Sequence, residues 1–291
     1  MSMLAYSLVE RVMDHPWPGW QVTVWGVHMT LMSAGIASML LAAVILVAVV
    51  VPLAQRTRAV PHGAGNLLEV VVVFVRDMIA KPALHDKAYD FLPFLLTMFS
   101  FVLVVNLLGI VPLEPLSEVA GLPRIGGVAT SIPTVAAGLA SLSLLTILAT
   151  GLRASAIKCR HQRHWPWALC AIAAPVLWLR ALSPPVPGIT GKLLMVPLTA
   201  LEFIGLVAKC FALMVRLFAN MISGHTLLAV LMMFIVMALQ SRLINAFYIG
   251  PFSIAASVAV EVLELLVAAL QAYIFTFLTA MFLGIYAEPS H

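Results

Sequence analysis

Long apolar runs separated by short polar loops make up most of this chain, and the run lengths decide its class. Val22 to Leu53 is the first run, closed by the basic, Pro-containing stretch QRTRAVPHGAG. Phe91 to Pro112 and Val128 to Leu152 follow. Each is long enough for the roughly 20 residues that a helix needs to cross a bilayer. Trp165 to Leu182 is also apolar, but Pro166 and Pro175 interrupt it, which predicts an embedded or re-entrant segment. Between the first two runs, NLLEVVVVFVRDMI (Asn66 to Ile79) is too short and too charged to span, and predicts an interfacial amphipathic helix.

The last two runs, Pro197 to Gln240 and Gly250 to Tyr286, carry almost no breaker. At about 1.5 Å per residue, a helix of some forty residues reaches roughly 60 Å, twice the ~30 Å of hydrocarbon. This predicts two long, strongly tilted, antiparallel helices, with Gly205, Gly224 and Gly284 as the places where a kink would fall. The expected fold is an all-α polytopic membrane protein with about five to six membrane-embedded helices and one interfacial helix. Its expected divisions are an N-terminal segment 1–21, a first transmembrane helix 22–53, and a basic loop with the interfacial helix 54–90. A transmembrane hairpin 91–152, a basic loop with a Trp/Pro-rich embedded segment 153–192, and a tilted hairpin 193–291 complete it. No internal repeat or low-complexity tract is present.

Composition sharpens this picture. Of 291 residues, 63% are hydrophobic and 10% charged, against about 25% charged in soluble domains. The net charge of +4 is small and dispersed, which excludes a nucleic-acid surface. Cys159, Cys170 and Cys210 have neither paired nor metal-ligating spacing, so no metal or cofactor is expected. The opening residues include Glu10 and Asp14 without a clean apolar block, so no cleavable signal is expected there. Lys and Arg are concentrated in 54–87 and 153–164, while the alternate loops hold only Arg124 and Arg242. The positive-inside rule therefore puts 54–87 and 153–164 on the cytoplasmic or matrix side.

Five polar residues interrupt the first long run: Glu202, Lys209, Arg216, Asn220 and His225. Charge at the bilayer centre costs about 3 kcal/mol on insertion scales, so such groups face protein, water or a path. Glu202, Lys209 and Arg216 recur at seven-residue intervals, and Asn220 lies four further on, so all four share a stripe. His225 falls half a turn away from that stripe. The second long run holds Glu261, Glu264 and Gln271, the last two again on one face. Packed antiparallel, the two helices bring His225 and Glu264 toward one end, with Glu202 lying the other way from Arg216. Histidine and carboxylates load and unload protons, whereas arginine does not deprotonate in proteins. The pattern is two sets of proton-exchanging groups separated by a fixed cation. Lys209 reads most simply as a snorkelling or packing contact, and Glu261 as a packing contact or the partner of a nearby cation.

The stretch VRLFANMISGHTLL (Val215 to Leu228) resembles the signature of subunit a of F-type ATP synthases. LEFIGLVAKCFALM before it, ELLVAALQAYIFTFLTAMFL (Glu264 to Leu283) after it, and DFLPFLLTMFSFVLVVNLLGIVP (Asp90 to Pro112) resemble the same family in the same order. The resemblance implies that Arg216 faces the carboxylate of a rotating c-ring, with Asn220 and Gln271 beside it. It implies that His225 and Glu264 line the half-channel open to the lumen or periplasm, in the arrangement of mitochondrial and alphaproteobacterial members. Glu202 would serve the opposite half-channel, joined by Glu288, which stands about one turn beyond the family's usual acidic position. The implied partners are the c-ring, the peripheral stalk with its b-type and other stator subunits, the lipid bilayer and protons. The implied setting is the mitochondrial inner membrane, with a bacterial plasma membrane as the alternative. The implied function is proton translocation in the membrane sector of the synthase, with no bond-making catalysis in this chain. A proton-coupled secondary transporter is the competing class; it would usually show inverted repeats and discontinuous helices, and neither is evident.

Overall fold

A computed structural model describes residues 21–24, 27–30, 34–55, 63–111, 132–163, 170, 173–178, 189–240 and 243–287. It is nearly all helical, and five helical stretches are long and apolar enough to cross a membrane. The exception among the described residues is a small antiparallel ribbon of β1 (Gln21–Val24) and β2 (Val27–Thr30), with Gln21 opposite Thr30. The first apolar run is therefore not helical from Val22, as its hydropathy suggested. Val and Thr at 22–24, and Val27 and Thr30, favour extended backbone, and Gly26 stands between the strands in sequence. Helix α1 begins only at Ala34 and runs to Gln55.

Helix α2 (Ala64–Phe74) passes into a π-helical segment, Val75–Ala80, and a single turn, Lys81–Leu84. His85, at φ 46°, interrupts the helical path before α3 (Ala88–Ile110). In the π segment Arg76 makes a two-pronged ion pair with its neighbour Asp77, at 2.9 Å for each bond. Lys81 approaches the same carboxylate at 2.8 Å. Helix α4 (Pro133–Arg163) opens on a proline, whose missing N–H costs nothing at a helix start. It continues through the basic stretch after Leu152, read from the sequence as loop. Ala, Lys and Arg are good helix formers, and cations suit a helix C-terminus.

The two long runs are unbroken helices, α5 (Ile189–Gln240) and α6 (Leu243–Ala287). They begin earlier than the apolar runs did and carry Pro197 and Pro251 inside them. Backbone contacts divide the chain into two compact units. One comprises Met1–Val73, Leu96–Ala136 and Val215–Ile274; the other Phe74–Leu95, Ala137–Met214 and Phe275–His291. In the first unit, Ala42 of α1, Val105 of α3 and Val135 of α4 form a core flanked by Met39, Phe101 and Leu108. Met221 of α5 and Ala268 of α6 form a second, packed by Leu107 and Ile110. In the second unit Trp178, from helical residues 173–178, lies buried against Gly151 of α4. A Cβ at Gly151 would meet the indole, with Cδ1 at 2.8 Å, so only glycine lets the ring rest there. The remainder of the Trp/Pro-rich segment, the N-terminal segment 1–20 and the polar loop of Glu114 to Gly126 lie outside the described residues.

Large apolar side chains cover the outer faces: Leu40, Val44 and Val47 on α1, Leu67, Val70 and Met78 along α2 and its π extension, and Phe252, Leu263 and Leu266 on α6. Water is a poor solvent for so many exposed large apolar side chains, and a lipid bilayer suits them.

Candidate functional site

Most of the polar residues predicted for the site fall in the first unit, on α5 from Val215 and on α6 up to Ile274. Arg216 is exposed, as is the apolar Val215 that precedes it. It forms no ion pair with any described residue. Asn220, one turn further, is half-buried, and its carbonyl accepts a 2.9 Å hydrogen bond from Ser223 Oγ.

His225 turns the other way, as its spacing from Arg216 predicts, and its Nε2 is buried without a hydrogen-bond partner among the described residues. Glu264 of α6 is half-buried with its Oε2 in the same condition. The carboxyl group lies directly on the α5 backbone at Gly224, the residue before His225. A Cβ at Gly224 would collide with Oε1 and stand 2.9 Å from the carboxyl carbon. Gly224 therefore does not kink α5; it lets a carboxylate from the facing helix approach the backbone. Gly224 opposite Glu264 and Met221 beside Ala268 show that α5 and α6 run antiparallel in this unit. Two titratable side chains thus bring unsatisfied buried polar atoms to adjacent places, where an isolated polar atom costs about 1–3 kcal/mol. Such atoms suit groups that exchange protons with water or with each other.

Gln271, two turns beyond Glu264, is buried. Between them Asn106 of α3, fully buried, donates from Nδ2 to the Ala268 carbonyl at 3.4 Å, while its Oδ1 has no partner among the described residues. Sequence reasoning assigned Asn106 no role beyond its family motif. The available signal was an amide inside an otherwise apolar span, which in a membrane is held by another helix.

Glu202 belongs to the second unit. Its carboxylate is 3.9 Å from Lys209 Nζ, and that ammonium lies 5.5 Å from the centroid of the Phe282 ring of α6. Glu261 is exposed, and Glu288 lies outside the described residues. Among the described residues no three His, Cys, Asp or Glu side chains converge as a bound metal would need.

The arrangement is that of an exposed cation on one face and, on another, a half-buried histidine and glutamate that each carry a buried, unsatisfied polar atom, on two antiparallel helices. The ATP synthase A chain family matches residues 36–284, which contain all of these positions except Glu288. The chain belongs to the ATP synthase A chain family. Relatives named ATP synthase subunit a agree: that of Chloroherpeton thalassium is 38% identical over 224 residues, 77% of this chain and 55% of the relative. ATP synthase subunit a 2 of Prosthecochloris aestuarii is 36% identical over 229 residues, 79% of this chain and 59% of the relative. The subunit a of Myxococcus xanthus is 35% identical over 242 residues, 81% of this chain and 66% of the relative. The chain thus spans between about half and two thirds of the length of these relatives.

Proposed function

We propose that this chain is the proton-conducting stator subunit of the membrane sector of a rotary ATP synthase, working against a ring of carboxylate-bearing c subunits. The observation that carries this reading is Arg216, an exposed cation in the middle of a long apolar helix and unpaired among the described residues. Facing lipid it would be costly; facing a carboxylate that arrives from a partner, it is neutralised. Arginine holds its proton, so it attracts the ring carboxylate in ionised form and passes no proton on. Protons enter through His225 and Glu264, with Asn220 and Gln271 flanking the arginine, and neutralise the ring carboxylate. They ride the ring and leave through Glu202 and Glu288 on the side bearing the basic stretches. The membrane is the bacterial plasma membrane, since the relatives named above are bacterial; they lend no support to the mitochondrial inner membrane that the sequence favoured. A b-type peripheral stalk and other stator subunits hold the chain against the turning ring.

The test is ATP-driven and passive proton flux in vesicles carrying the intact complex, wild type against Arg216→Ala. The substitution is expected to reduce pumping by at least about 100-fold while the complex still assembles, and to open a passive leak. Pumping that continues unchanged would show Arg216 to be structural and would end this reading.

A further inference from the structure

We infer that Lys209 is a positioning residue for Glu202, locked in place by the Phe282 ring of α6. The inference rests on the proposed role of Glu202 as a proton-release group.

Glu202 and Lys209 stand two turns apart on one face of α5, roughly 10 Å along its axis. Neighbouring-turn pairs meet readily on a helix, whereas a pair at this spacing closes only if a long side chain lies along the surface. Helical side chains lean toward the N-terminus, so the lysine stem reaches back and brings Nζ to 3.9 Å from the carboxylate. The same ammonium sits 5.5 Å from the Phe282 centroid, within range of a cation–π contact. Phe282 is only 9% exposed and is flanked by the buried Leu283 and, one turn back, by the buried Thr279, so its ring offers a fixed seat. A lysine that merely snorkelled would extend its ammonium away from apolar surface toward water. This one lies between an acid on its own helix and an aromatic ring on another.

The lysine and glutamate side chains remain 41% and 38% exposed, so the carboxylate is open to a proton path while the cation holds it. An unconstrained glutamate spreads over several rotamers, and only some would present the carboxylate to an arriving proton. Lys209 narrows that spread, and Phe282 ties the result to α6.

The experiment measures ATP-driven pumping by the intact complex in vesicles, with complex abundance checked for every variant. Lys209→Met is expected to lower pumping about tenfold, Lys209→Arg to restore it to within about twofold, and Phe282→Leu to lower it about threefold. Glu202→Asp, which withdraws the carboxylate from the ammonium, should make Lys209→Met add less than about a further twofold, since the two act as one unit. A full tenfold loss in the Asp background would mean that Lys209 acts elsewhere, and would overturn the inference. Wild-type pumping by Lys209→Met, with pumping lost in Glu202→Gln, would overturn it while leaving the proposed role of Glu202 intact. Wild-type pumping by Glu202→Gln would remove that role and the inference with it. If Lys209→Met does not assemble, Phe282→Leu with and without Glu202→Asp decides by the same cycle.

Discussion

At Gly224 the α5 backbone meets the Glu264 carboxylate, and a single methyl group would separate them. The atoms that must give way are the end of a flexible side chain, so Gly224→Ala should cost little stability, under about 1 kcal/mol. It should nevertheless lower ATP-driven pumping about tenfold, because the acid is displaced from its place against the α5 backbone at Gly224. Gly205→Ala is the control: a Cβ there meets nothing within 4 Å, and pumping should be unchanged. Equal pumping by the two variants would show that the approach of Glu264 to Gly224 has no part in the path. The identities of these residues were legible in the sequence, since His225, Glu264 and Arg216 are conspicuous in apolar runs. Their surroundings were not. Helical periodicity assigns a residue to a face, but which residue stands opposite depends on how a second helix packs.

Helices in a membrane gain little hydrophobic energy from one another, so close packing and a few polar contacts must hold them together. In the second unit the buried Thr279 hydroxyl of α6 donates to the Phe275 carbonyl at 2.8 Å or, across the interface, to the Ser143 hydroxyl of α4 at 3.3 Å. Thr279→Val keeps the shape and removes that bond, and should lower stability by about 0.6 kcal/mol, at most about 2. Thermal unfolding of the purified complex in detergent checks this, with pumping expected at the wild-type rate. At this scale α5 and α6 were predicted as long and continuous, because no run of breakers divides them. Helix α1 starts later than its apolar run, at Ala34, because hydropathy does not distinguish a β-ribbon from a helix. Charge in 153–163 suggests a loop, yet these residues are helical, because Ala, Lys and Arg extend a helix readily.

For the whole molecule, the distribution of Lys and Arg predicts which ends of the spans face the cytoplasm, and labelling can check it. The three native cysteines are buried and should contribute little background. Arg160→Cys, at an exposed position, should react with a membrane-impermeant maleimide only from the cytoplasmic side, and Ser117→Cys only from the opposite side. Reaction of each from the side opposite to the one expected would reverse the direction assigned to the proton path, and reaction of both from one side would overturn the expected alternation of the loops. The exposed apolar faces of α1, α2 and α6 belong to this scale too, since a lipid bilayer is a solvent that suits them.

The sequence by itself determined the membrane class, the approximate number of spans and the short list of titratable residues in the last two helices. All of these follow from run lengths, composition and local periodicity. Only the tertiary structure decided that Glu264 rests on Gly224, that Asn106 reaches the Ala268 carbonyl, and that Lys209 lies between Glu202 and Phe282. Each of these joins residues far apart in the chain, or bridges turns through a partner on another helix. The register of two packed helices depends on the shapes of both surfaces together, which neither segment carries alone.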